Sequence, residues 1–95
     1  MYNFILMWYT YILNCADDTF YTGITTDLER RVDEHNNSPK WAKYTRVRRP
    51  VLLVYSEKFK NRSEASKREY EIKQMSRELK ESLIKNPPLE KEGGA

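Results

Sequence analysis

The chain has one cysteine, Cys15, and one histidine, His35. A lone cysteine forms no internal disulfide and no cysteine-based metal cluster, and it fits a chain kept in a reducing cytosol. At a turn, Cys15 reads as passive packing. No apolar run is long enough to span a bilayer: the opening Met1–Met7 falls far short of the roughly 20 residues required. It also lacks a basic leader and a small-residue cleavage site, so an extended lead into the first strand is expected rather than a signal peptide. No internal repeat is visible, which excludes solenoids and arrays. These absences together predict a cytoplasmic chain with no membrane contact.

Ninety-five residues make one domain, near the lower size at which a core forms without staples. Charged residues are 33% and the mean hydropathy is −0.86, so the chain reads as soluble, while 13% aromatics argues against disorder. The formal net charge of +3 is a weak argument for nucleic acid by itself. Where the charge sits matters more.

Two runs rich in aromatic and β-branched residues, Trp8–Asn14 and Phe20–Thr25, flank Cys15-Ala16-Asp17-Asp18-Thr19. The two flanking runs are strand signals and the stretch between them is a turn signal. One antiparallel register sets Tyr11 opposite Tyr21, Ile12 opposite Phe20 and Trp8 opposite Ile24. Alternation then places Trp8, Ile12, Phe20 and Ile24 on one face, and Tyr9, Tyr11, Tyr21 and Gly23 on the other. Gly23 weakens a strand, which marks close approach by another backbone or a ligand. Thr26-Asp27-Leu28-Glu29 has capping-box spacing, with Thr26 as cap and a helix from Asp27. Leu28 and Val32 are its apolar contacts, Arg31 and His35 adjoin them, and Asn36, Asn37 and Pro39 end it.

Residues 40–50 carry five cations and no acid: Lys40, Lys43, Arg46, Arg48 and Arg49, with Trp41 and Tyr44 interleaved. Cations neutralise phosphates and aromatic faces stack on bases. These five are the candidate nucleic-acid contacts; the bland alternative is a solvated loop whose aromatics fold inward. A short helix fits within 40–48. The run from Pro50 to Glu57 is nearly continuous in apolar residues, as in a strand covered on both faces. Asn61 then caps a helix with an inner stripe of Ala65, Glu69, Ile72, Ser76, Leu79 and Leu83, unless Ser76 caps a separate last helix. Glu69 lies on or beside that stripe. A carboxylate there needs a partner, and a salt bridge to Lys or Arg is the structural alternative.

Thr10-Tyr11-Ile12, Tyr21-Thr22-Gly23, Arg31 eight residues after Gly23, His35, and Ala65 with Glu69 followed by Lys73 form an ordered set. In that order the sequence resembles the GIY-YIG nuclease superfamily, with most likeness to small stand-alone bacterial members related to the nuclease domain of the repair excinuclease. Thr10 departs from the family's first glycine and Thr22 from its middle isoleucine; both tyrosines are intact. The resemblance covers roughly residues 8–85 and implies an α/β (α+β) sandwich with a three-stranded antiparallel sheet flanked by helices. It implies a divalent-metal-dependent endonuclease hydrolysing phosphodiester bonds in DNA, with RNA as the other substrate, in repair or on a particular DNA structure. Tyr11, Tyr21, Arg31, His35 and Glu69 stand at its catalytic positions, Glu69 holding a single Mg²⁺ or Mn²⁺.

The expected organisation is a domain over 1–85 and a polar, disordered tail over 86–95. Strands are expected near 8–14, 20–25 and 51–57, and helices near 27–36, 62–74 and 77–85. The five catalytic candidates should converge on one face, and the chain should act as a monomer, with a protein partner as one source of substrate choice. The alternatives are a nucleic-acid-binding or adaptor module without turnover, and an interaction domain binding protein through Trp41 and the basic run.

Overall fold

The first strand of the chain becomes the middle strand of the sheet. β1 spans Trp8–Asn14 and β2 spans Phe20–Thr25. The computed structural model describes residues 6–40 and 42–88. It continues with α1 over Leu28–Asn37, a one-turn α2 over Lys43–Arg46, β3 over Leu52–Phe59, α3 over Arg62–Lys73 and α4 over Arg77–Lys85. The sheet order is β2-β1-β3 and both pairings are antiparallel. This is the α+β architecture expected from the sequence. The expected lead-in over residues 1–5, Trp41, and the tail from 89 lie outside the described residues.

β1 is central because it is buried on both faces: Thr10, Tyr11, Ile12 and Leu13 are each at most 1% exposed. One face packs Tyr11, Leu13, Cys15 and Val51 against Leu28 and Val32 of α1. The other packs Ile12 and Tyr55 against Ile72 of α3, with Leu83 and Ile84 of α4 alongside. Burying such an aliphatic side chain is worth roughly 1.5–3 kcal/mol, so these few positions fix which helix covers which face. Thr10 shows how closely α3 sits: its hydroxyl donates to the Ala65 carbonyl at 2.8 Å, with both residues fully buried. A larger side chain at Ala65 would hold the helix off.

The face assignment matches the alternation, but the register does not. Tyr11 pairs with Gly23, Ile12 with Thr22 and Asn14 with Phe20, two residues away from the expected alignment. The turn decides this. Cys15 N–H donates to the Thr19 carbonyl and Asp18 N–H to the Cys15 carbonyl, both at 2.8 Å, so all five residues 15–19 lie in the loop. Asp18 takes the left-handed φ of 67° that closes it, which aspartate tolerates better than most residues. A two-residue slip leaves every side chain on its face, so hydrophobic alternation alone cannot detect it.

Two further expectations change. The cap of α1 is Asp27, not Thr26: the Asp27 carboxylate accepts from Arg30 N–H at 3.0 Å and the helix starts at Leu28. β3 is not covered on both faces. It is an edge strand in which Leu52 and Leu53 are 65% and 42% exposed. A bulge opposite Ile12 and Leu13 breaks its alternation. The separate last helix expected over 77–85 is present, and the inner stripe ends at its cap, as the alternative reading of Ser76 has it. Ser76 caps α4, accepting from Leu79 N–H at 3.2 Å, and Leu79 faces water.

Candidate active site

Tyr11 is fixed by what lies beneath it. Its ring passes over Gly23 on the neighbouring strand, and a Cβ at position 23 would stand 2.6 Å from the Tyr11 hydroxyl oxygen and 2.8 Å from Cζ. No side chain fits there. The close approach expected at Gly23 is therefore made by the partner tyrosine itself.

Behind Tyr11 lies a chain of buried polar groups. The Tyr11 hydroxyl is 2.9 Å from His35 Nε2, His35 Nδ1 is 2.7 Å from Thr45 Oγ1, and the Thr45 hydroxyl donates to the Ala42 carbonyl at 3.2 Å. One tautomer satisfies all three contacts at once, and it is assigned on that ground. Thr45 has one proton and gives it to Ala42, so it accepts from His35 Nδ1–H. Nε2 then has a bare lone pair, and Tyr11 donates to it. His35 is fully buried. Burial, then the nearby Arg31 charge, hold its pKa down at about 4, so the ring is neutral near pH 7. A fully buried imidazole does not touch phosphate directly. Of the two roles the sequence left open to it, direct phosphate binding does not fit this burial.

Burial also pushes the Tyr11 hydroxyl well above the ordinary phenol range; Tyr21 and Glu69 push the same way, while the charge and hydrogen bond of Arg31 oppose them. Tyr21, on the same face, is raised by burial and Glu69 and lowered by Lys73 and Arg31. Its ring lies edge-on to His35 at 4.9 Å and 6.5 Å from Tyr11. Arg31 projects from α1. Its Nε donates to Glu34 at 3.0 Å and one terminal nitrogen to the Ile24 carbonyl at 3.4 Å, which orients the guanidinium toward β2. Glu69 projects from α3 and pairs with Lys73 at 3.1 Å. The structural alternative, a salt bridge, is thus present, but the carboxylate also faces the site.

Tyr11, Tyr21, Gly23, Arg31 and Glu69 line one cavity of about 450 Å³, with Trp8, Ile24, Arg62 and Ser66 completing its wall. Convergence on one face is not what brings them together. α1 and α3 cover opposite faces, yet Arg31 of α1 and Glu69 of α3 both line the cavity, together with Tyr21, Gly23 and Ile24 of β2. His35 lies behind Tyr11 and not in the cavity wall. Among the described residues no cluster of three metal-ligating side chains occurs. Glu69 is the single carboxylate in the wall. That donor set suits Mg²⁺, which is commonly held by one or two carboxylates plus waters and substrate phosphate.

The basic run is only partly available. Arg49 donates to the carbonyls of Glu34, His35 and Ser38 at the end of α1. Arg48 pairs with Asp17 at 3.0 Å and covers the Tyr44 ring. Arg46 donates to the Pro39 carbonyl at 2.9 Å, yet it is exposed, as are Lys40 and Lys43. Thr45, Trp8, Arg62 and Ser66 have no sequence signal as site residues. Thr45 is a single threonine in a cationic run, and the other three fit no motif.

A small antiparallel sheet, a tyrosine laid over a strand glycine, and an arginine and a glutamate meeting at one cavity define a GIY-YIG-type domain. The chain belongs to the GIY-YIG family: residues 7–82 match the GIY-YIG catalytic domain. A UPF0213 protein of Desulfotalea psychrophila is 62% identical over 78 residues, which is 82% of this chain and 71% of that one. A UPF0213 protein of Halobacterium salinarum is 54% identical over 78 residues, covering 82% of this chain and all of that one. The solution NMR structure of a UPF0213 protein from Bacillus halodurans is 47% identical, with a TM-score of 0.56 over 85% of each chain.

Proposed function

We propose that this chain is a divalent-metal-dependent endonuclease that hydrolyses phosphodiester bonds in DNA. The observation that supports it is the shared cavity, where a phenol backed by a neutral imidazole, a guanidinium and a carboxylate all reach one volume. Phosphodiester hydrolysis needs a water to lose a proton and the phosphoryl charge to be offset.

Arg31 takes phosphate oxygens, for which a planar fork of donors is suited. The attacking water passes its proton to Tyr11 as Tyr11 passes its own to His35 Nε2. A phenol raised by burial is a weak acid, so this concerted hand-over is easier than forming a free phenolate first. Substrate helps: a phosphate on Arg31 cancels part of the charge that holds His35 down, which makes Nε2 a better acceptor when it is needed. Tyr21 orients the water or phosphate. Glu69 would hold the ion in place of Lys73 at small cost, because a partly exposed pair contributes little. When bound there, Mg²⁺ or Mn²⁺ supplies charge neutralisation at the phosphoryl and leaving oxygens.

The test is nicking of supercoiled plasmid and branched DNA with Mg²⁺ or Mn²⁺, beside a gel shift. Wild-type protein should nick only with metal. Glu69→Ala should lose nicking and keep most of its DNA binding, because its role is to hold the ion. DNA binding with no nicking under any divalent metal would make the chain a binding module instead.

A further inference from the structure

We propose that Trp8, Arg62 and Ser66 form a subsite for the nucleotide next to the scissile phosphate, an extension that rests on the nuclease reading above. The cavity is too large for its catalytic contents. At about 450 Å³ it falls in the range of roughly 300–1,000 Å³ that holds whole organic ligands. One phosphate and a hydrated ion leave much of it empty. The unused wall carries an aromatic face, a guanidinium and a hydroxyl, the groups that hold a base and a phosphate.

The wall is ordered by α3. Arg62, Ser66 and Glu69 are spaced by four and three residues, so they share one face of the helix. Arg62 and Glu69 are separated by about 10 Å along its axis, farther than one phosphate spans. Arg62 stands 5.5 Å from the centroid of the Trp8 ring. That is within cation–π range. The other partners of arginines differ: Arg48, Arg68 and Arg77 have carboxylates within 3.0 Å, whereas none of the ion pairs among the described residues involves Arg62. It occupies the first position of α3, where the helix dipole disfavours a cation. Helix stability therefore does not account for it. An anion at the cavity mouth does. In the subsite, the base stacks on Trp8, while Arg62 and the Ser66 hydroxyl take the adjoining phosphate.

The test reads binding without turnover. Trp8 and Trp41 are the two tryptophans, so a Trp41→Phe background leaves Trp8 as the sole reporter. Fluorescence is followed in EDTA while 5′-phosphorylated thymidine dinucleotide, or inorganic phosphate, is added. The dinucleotide should quench saturably, Arg62→Ala in the same background should weaken that binding by about fivefold or more, and phosphate alone should not quench. Far-UV circular dichroism checks that the exposed Arg62 change leaves the fold intact. Absence of quenching, quenching that ignores Arg62→Ala, or equal quenching by phosphate overturns the subsite. Since no cleavage is needed, Arg62-dependent quenching without nicking would sink the nuclease reading alone. Nicking without Arg62-dependent quenching would sink the subsite alone.

Discussion

His35 carries the clearest consequence at the scale of the residue. It is the one histidine in the chain, fully buried between Tyr11 and Thr45. Its pKa of about 4 in the fold lies below the ordinary 6.5. The sign follows directly. Below pH 6.5 the unfolded chain binds a proton that the folded chain refuses, so unfolding becomes easier as pH falls. The loss begins near pH 6.5 and is complete near pH 4, and it is on the order of 2 kcal/mol by pH 5. Urea denaturation at pH 7 and pH 5 should show it, and His35→Gln should flatten the difference. An unchanged midpoint between those pH values in the wild-type chain would mean that His35 titrates freely. The same burial keeps the ring, hydrogen-bonded to Tyr11 and Thr45, away from water.

Elements are joined by side chains that stand in for backbone. Asn36 at the end of α1 accepts from Val51 N–H at 2.7 Å and donates to the Val51 carbonyl at 3.0 Å, pairing a helix end with the approach to β3 as a strand would. Arg49 caps the same end of α1, donating to the His35 carbonyl and to the Glu34 carbonyl that the Ser38 N–H also reaches. The last turn of a helix leaves carbonyls unpaired and carries partial negative charge, so a cation placed there is stabilising. Arg49→Ala should therefore cost about 2 kcal/mol. For a domain of this size that is a fall of roughly 8–16 °C in Tm, measurable by thermal melting followed by circular dichroism. A wild-type Tm in that variant would return Arg49 to the pool of free cations. The sequence groups Arg49 with the nucleic-acid contacts; its geometry makes it a clamp on the helix that carries Arg31 and His35.

Across the whole molecule, charge is distributed rather than large. The net +3 steers little by itself, but Lys40, Lys43 and Arg46 are exposed on the segment that follows α1. That segment also supplies Thr45, which holds His35. Neutralising Lys40, Lys43 and Arg46 together should weaken DNA binding and reduce the dependence of log K on log salt by roughly one unit for each phosphate no longer neutralised. Filter binding between low and moderate salt measures that slope, and an unchanged slope would assign the three cations to folding or to a protein partner. No helix among the described residues is long and apolar enough to cross a membrane.

Strand alternation, apolar runs, cap residues and turn composition determined six of the seven elements, most of them to within a residue or two, because each is a local property of a few neighbours; the one-turn α2, which has no side-chain cap, was only allowed for. The same local order placed Tyr11, Tyr21, Gly23, Arg31 and Glu69 in a recognisable series. Tertiary structure decided what local rules cannot reach. The strand register depends on how the turn closes, and a slip of two leaves the pattern of faces untouched. The exposed edge of β3 depends on no fourth strand lying beside it among the described residues. The hydrogen-bonded chain from Tyr11 through His35 to Thr45 joins three separate elements, and Thr45 carries no mark in the sequence. The meeting of Arg31 and Glu69 depends on two helices packed on opposite faces that each send a side chain to the cavity beside β2. Side chains brought together by packing have no common period along the chain, so only the folded molecule puts them in one cavity.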